Sequence, residues 1–255
     1  MYGITRRGYG ASSRPESGYS ADRLDRLADD VLAVLDARRL KAPVLAGHSL
    51  GGQELTVLAS AHPHRIAGLV YIDGLVDLTF DWKPYQELQS KLPAAMKPTQ
   101  PSIADYRSFQ AYRDWQMMTM GIAFPESELR QGFRAKPDGT MGSYLTPTTV
   151  RDAIHAGGRK PDYSGIRVPV LAFVVLPKPL QEQERRYHPR DDAERALMEQ
   201  LYAADLDVVR GAVAALRAGV PDARVVELPG ANHYVFLSNE ADVLRETRAF
   251  LLKVK

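Results

Sequence analysis

The chain has 255 residues, 45% hydrophobic and 25% charged, enough to bury one large core in a single α/β domain that carries an insertion. Its 33 basic and 31 acidic side chains leave a formal charge of +2 and are spread without long blocks. That distribution gives no electrostatic footprint for nucleic acid or an anionic membrane, so the expected partner is a small molecule. The absence of cysteine excludes disulfides, thiolate metal sites and cysteine nucleophiles, and is compatible with cytosol and periplasm alike.

Met1 to Ser20 carries Arg6, Arg7, Arg14 and several glycines but no apolar run, so no signal peptide or membrane span is visible. The chain as given is expected in the cytoplasm, with a periplasmic or secreted location open if further residues precede Met1. Leu24 to Leu40 repeats apolar residues at Leu24, Leu27, Val31, Leu32 and Leu35 with a helical period, behind Ser20 and Asp22 as caps. Ala42-Pro43-Val44-Leu45-Ala46 is a short apolar run that suits a buried parallel strand, and from Gly51 to Ala61 the pattern turns helical again.

Ile66 to Ile72 and Val168 to Leu176 are further apolar runs, short and rich in β-branched residues, and Ala223 to Leu228 is another. A long helical stretch from Asp192 to Ala218 precedes the last of them, and Glu240 to Val254 closes the chain as an amphipathic helix. Strand and helix alternate, so the fold class is α/β with a doubly wound, mostly parallel sheet. Leu75 to Ile166 is too long for a simple crossover. Helical patterns at Ile103 to Met120, Glu126 to Phe133 and Thr148 to Ala156, broken by Pro93, Pro98, Pro101, Pro125, Gly139 and Gly142, read as short helices of a cap. The expected division is core at 1–74, helical cap at 75–166 and core again at 167–255.

Gly47-His48-Ser49-Leu50-Gly51-Gly52 fits G-x-S-x-G, in which the glycines permit a sharp strand-to-helix turn with the serine hydroxyl at its tip. The pattern alone is weak, and a plain turn would also fit it. Here, however, a strand-like run ends at Gly47 and a helix-like run begins at Gly51, the setting such an elbow requires. A serine hydroxyl needs a base, usually histidine, to become nucleophilic. His48 lies in the elbow itself, His62 and His64 in a polar loop, and His155 and His188 in the cap and a charged segment, places that suit solvated or packing roles. His233 follows the last strand in a glycine-containing loop, where the carboxyl edge of the sheet would present it to Ser49.

Three segments carry a resemblance to the α/β-hydrolase family, in particular its capped bacterial ester and lactone hydrolases. They are Arg6-Arg7-Gly8-Tyr9-Gly10-Ala11-Ser12, the GHSLGG elbow, and Gly230-Ala231-Asn232-His233-Tyr234-Val235-Phe236-Leu237 before a final helix. The resemblance implies a nucleophile at Ser49, a base at His233 and an oxyanion donor at the backbone N–H of Leu50, with no cofactor. Family members usually carry the triad acid just after the strand at Val168 to Leu176, but Pro177-Lys178-Pro179 stands there, and Glu182 and Glu184 come late in a polar stretch. Some relatives, haloalkane dehalogenases among them, carry the acid after the strand that follows the elbow. That place is Asp73, with Asp77 a weaker substitute and a loop cap as its simpler role. Dehalogenase and epoxide hydrolase chemistry is disfavoured, because those families have an aspartate where Ser49 stands.

The resemblance also implies that Met1 to Thr5 is the family's fourth strand, so that the first three are absent and the opening strand lacks its neighbour. A missed upstream start is the favoured explanation, since every later element is patterned. Tyr112, Trp115, Met117, Met118 and Met120 cluster at helical spacing, which more often means packing. Where part of that cluster faces Ser49, Tyr112, Trp115 and Met118, together with His48, would line an apolar pocket. No metal-ligand spacing is evident. The expected activity is hydrolysis of an ester or lactone of a small, largely apolar substrate, against a non-catalytic binding protein of the same fold or an inactive truncated homologue. Amide hydrolysis and carbon–carbon cleavage remain open within the fold.

Overall fold

The computed structural model describes residues 1–13, 23–97 and 99–254. The chain falls into two compact units, Met1–Ala42 with Thr99–Arg159, and Pro43–Pro98 with Lys160–Lys255. No described helix is long and apolar enough to cross a membrane.

In the first unit, helix α1 (Arg23–Ala37) buries Leu24, Leu27 and Leu35, the apolar stripe its period announces. The proposed caps Ser20 and Asp22 lie outside the described residues. Helices α2 (Gly51–Ala61) and α3 (Lys83–Ser90) belong to the second unit, and the first continues with α4 (Phe109–Met120) and α5 (Glu126–Gly132). Ser108 caps α4 by accepting from Ala111 N–H at 3.0 Å, and Gly121 ends it at φ 70°. Phe109, Tyr112 and Leu129 form an apolar cluster with Phe133 and Met141.

Two expectations fail in this unit. Gly139 and Gly142 do not mark a break between short helices but belong to a two-stranded antiparallel hairpin. Asp138 Oδ1 accepts from Thr140 N–H at 2.9 Å and Gly139 takes φ 83°, so the Asp-Gly pair acts as a hairpin turn. The expected strand at Met1 to Thr5 is absent, with most of the segment exposed and no described strand beside it to take its hydrogen bonds.

The second unit is built on a sheet of four parallel strands among the described residues. They are β1 (Val44–His48), β2 (Gly68–Ile72), β5 (Val170–Leu176) and β6 (Arg224–Pro229), and β3 (Phe133–Ala135) and β4 (Met141–Tyr144) are the hairpin. The sheet order is β1-β2-β5-β6, with registers such as His48 beside Ile72 and Ile72 beside Phe173. Helix α6 (Thr148–Ala156) completes the first unit, and α7 (Leu180–Tyr187), α8 (Asp192–Gly219), α9 (Val235–Ser238) and α10 (Glu240–Leu251) lie in the second.

Both faces of the sheet are covered, so the doubly wound expectation holds. Val70, Leu171, Phe173 and Leu228 pack on Val235, Val243 and Phe250 of α9 and α10. On the opposite face Tyr71 is fully buried and its hydroxyl meets Thr56 of α2 at 2.9 Å. The alternation of Val70 and Tyr71 between faces is the period of two that a strand imposes. The run at Ala42 to Ala46 departs from the expected buried strand. β1 pairs on one side only among the described residues, so Leu45 is half-buried and Ala46 is exposed.

Candidate active site

The carboxyl ends of β1 and β2 carry two non-glycine residues at positive φ, Ser49 at 52° and Asp73 at 43°. Such backbone is held only where its surroundings over-determine it. Ser49 N–H donates to Ile72 C=O at 3.2 Å, and Ser49 C=O accepts from Gly52 N–H at 2.9 Å. A Cβ on Gly52 would lie 1.8 Å from the Gly74 carbonyl oxygen, and one on Gly47 would lie 2.7 Å from the Gly51 carbonyl oxygen. The glycines of the motif thus let the turn close against the end of β2. The N–H of Leu50, at the N-cap of α2, has no backbone partner among the described residues.

Asp73 links three elements. Its N–H donates to Phe173 C=O at 2.9 Å, and its Oδ1 accepts from Val175 N–H at 3.0 Å. Its Oδ2 lies 2.6 Å from His233 Nδ1. A carboxylate can only accept, so His233 Nδ1 carries the proton in that contact and Nε2 is left as the basic nitrogen. The His233 side chain is 43% exposed and that of Asp73 22%.

The loop that brings His233 to Asp73 turns after β6 at Gly230, φ 67°, whose N–H donates to Leu176 C=O at 3.0 Å. Asn232 Oδ1 accepts from Tyr234 N–H at 3.1 Å, and Asn232 N–H donates to Ser238 Oγ at 3.2 Å. His48, one residue before Ser49, places Nε2 at 3.0 Å from the carbonyl oxygen of His233. Burial, and then the neighbouring His233, hold the pKa of His48 below its ordinary value, so it is neutral at neutral pH.

The structure therefore brings together Asp73, His233 and His48 and sets Ser49 at the adjoining strand end. Among the described residues, Ser49 Oγ makes no hydrogen bond. The other candidate carboxylates lie elsewhere. Asp77 Oδ1 closes a local turn with Thr79 at 2.8 Å, Glu182 is exposed in the first turn of α7, and Glu184 pairs with Arg195 at 3.3 Å. Of the other histidines, His64, His155 and His188 are exposed and His62 is half-buried.

Within the first unit, Tyr112 is buried in the cluster around Phe133, Trp115 packs against that cluster and Met118 is 76% exposed. Trp115 Nε1 is buried with no hydrogen-bond partner among the described residues. No described group of three histidine, aspartate or glutamate side chains is placed to hold a metal ion. A cavity of about 570 Å³ lies at the amino ends of β5 and β6, lined by Arg167, Pro169 and Arg224 among others. It is away from the strand ends that carry Ser49, Asp73 and His233.

Sequence reasoning missed the bond from Val175 N–H to Asp73 and the contact from His48 to the His233 carbonyl. Both depend on which strands are neighbours, and no local pattern encodes that.

A sequence model of the Alpha/beta hydrolase family matches residues 2–246. The 2-(acetamidomethylene)succinate hydrolase of Mesorhizobium japonicum is 25% identical over 239 residues, covering 91% of this chain and 71% of that protein. The crystal structure of E-2-(acetamidomethylene)succinate hydrolase is similar with a TM-score of 0.59 at 22% identity, covering 96% of this chain and 79% of its own. A marine microorganism esterase is similar with a TM-score of 0.53 at 18% identity, covering 96% and 82%. At such identities the two structures speak for the fold alone.

Proposed function

The chain belongs to the alpha/beta hydrolase family, and from that premise we propose that it is a serine hydrolase cleaving a carboxylic ester or lactone of a small, largely apolar substrate through an acyl-enzyme. In this reading Ser49 Oγ attacks the carbonyl carbon while His233 Nε2 accepts its proton. The N–H of Leu50 donates to the oxyanion that forms, and Asp73 stabilises the imidazolium through Nδ1–H. Collapse of the tetrahedral intermediate expels the alcohol, which takes the proton from His233. Water, deprotonated by the same nitrogen, then attacks the acyl carbon, the acid departs and Ser49 is regenerated.

The observation that carries this reading is the 2.6 Å contact between His233 Nδ1 and Asp73 Oδ2 at the strand end next to Ser49. It fixes the tautomer that leaves Nε2 free to act as base. The strained backbone of Ser49 and the uncommitted N–H of Leu50 add support. The ester or lactone class draws on the sequence resemblance to capped ester and lactone hydrolases.

Hydrolysis of p-nitrophenyl acetate and butyrate by the purified chain, beside Ser49→Ala, tests the proposal. Turnover that disappears in Ser49→Ala is the expected result. Turnover that persists in Ser49→Ala would remove Ser49 as the nucleophile, whereas none in the folded wild type with esters, lactones or amides would leave a binding protein as the better reading.

A further inference from the structure

The residue before the nucleophile does more than fill the x of the elbow motif. His48 ends β1, so its backbone is held by the register with Ile72. Its side chain reaches a different part of the chain. Nε2 lies 3.0 Å from the carbonyl oxygen of His233, and the His48 and His233 rings are 4.5 Å apart between centroids, tilted by 44°. Tyr234 and Phe236 close around the same ring at 5.1 and 5.2 Å. Three successive aromatic contacts and one hydrogen bond thus tie the His233 loop to the residue adjoining Ser49.

A carbonyl oxygen only accepts, so His48 Nε2 carries the proton in this contact and a neutral His48 has a bare Nδ1. The groups facing it are His233, whose charge opposes a second charge beside it, Asp73, whose charge favours one, and the half-buried phenol of Tyr234. Burial, joined by His233, outweighs Asp73 and the His233 carbonyl and keeps His48 neutral. A neutral donor on a rigid strand can hold the His233 backbone without adding a second positive charge when the imidazole is protonated.

We propose that His48 is a positioning residue, which clamps the main chain of His233 through Nε2–H and sets the attitude of its imidazole by ring packing. Asp73 fixes Nδ1 of that ring, and His48 fixes the backbone that bears it. Two anchors from two strands leave the ring little freedom to swing, which a loop with a 43% exposed side chain would otherwise have. The catalytic consequence rests on the serine hydrolase reading, whereas the clamp itself does not.

A matched pair of variants tests it. The side-chain nitrogen of His48→Gln reaches the position of Nε2 and keeps the donor, whereas that of His48→Asn stops at the position of Nδ1 and loses it. In His48→Asn, kcat for p-nitrophenyl acetate is expected to fall about ten- to a hundredfold with KM within about threefold, and His48→Gln is expected to recover most of the loss. The downfield proton resonance of His233 Nδ1–H should broaden or vanish in His48→Asn and return in His48→Gln.

If His48→Asn does not fold, His48→Phe keeps a ring, lacks the donor and carries the same expectation. A resonance unmoved in the donor-less variant overturns the proposal, whether or not kcat falls. A rise in KM with kcat unchanged also overturns it and makes His48 a substrate contact. Should the wild type hydrolyse no ester, lactone or amide, the functional reading fails, while the resonance comparison still decides the clamp.

Discussion

Two turns at the same end of the sheet are fixed by opposite means. The elbow after β1 is held by backbone: Ser49 N–H bonds the end of β2, and Gly52 approaches Gly74 so closely that no side chain fits. The loop after β6 is held mainly by side chains, with Asn232, Ser238, His48 and Asp73 each supplying a hydrogen bond. A nucleophile set by backbone geometry cannot be adjusted without disturbing the fold. A base set by side chains can be tuned one contact at a time.

Asp73 joins the two systems, so its substitution is expected to have the largest effect. Asp73→Asn keeps an oxygen for Val175 N–H but offers an amide N–H to His233 Nδ1, favouring the wrong tautomer. Ester turnover is expected to drop by about 10⁴-fold with the urea midpoint nearly unchanged. A variant that keeps a tenth of wild-type kcat would remove Asp73 from the chemistry.

The elbow comes next. Gly52→Ala forces a methyl group into the Gly74 carbonyl and should cost about 3 kcal/mol or more of stability, read from urea unfolding. An unchanged midpoint would show that the backbone anchoring is slack. In the other turn, Asn232→Ala removes the acceptor for Tyr234 N–H and should cost about 1 kcal/mol, with a decline of a few-fold in kcat. Equal losses of stability in these two variants would erase the distinction between the turns.

The smallest effect is on the pH dependence of stability. The folded-state pKa of His48 lies below 6.5, the value expected in the unfolded chain. As pH falls below about 6.5 the unfolded chain therefore binds a proton that the folded one refuses, and stability declines until the folded-state value is passed. Urea midpoints of wild type and His48→Gln should diverge in that acidic window and run parallel above it.

Much of the second unit was legible because its elements carry strong periods. The run VLAFVVL can only be a buried strand or part of a helix, and its length and β-branching decide between them. Helix α2 and the start of α8 fall where the pattern puts them. Helices α3 and α7 were invisible, since KPYQELQS and LQEQERRY bury no residue and offer no apolar stripe. The hairpin at Phe133–Tyr144 was masked by charged residues, although Asp138-Gly139 signalled it.

The site divides in the same way. Ser49 and His233 stand in local motifs flanked by strand and helix, so sequence reaches them. Asp73 became a choice only through family resemblance, and its bond to Val175 follows from the neighbouring positions of β2 and β5. His48 looked like a pocket residue because its contact with His233 joins positions 185 residues apart.

The most direct test of the Ser49–His233–Asp73 assignment is intact-protein and peptide mass spectrometry after exposure to a fluorophosphonate, which traps an activated serine as a stable adduct. Expected is a single adduct on Ser49, absent in Ser49→Ala and formed far more slowly in His233→Ala and Asp73→Asn. Labelling elsewhere, or none on Ser49 in the folded wild type, would contradict the assignment.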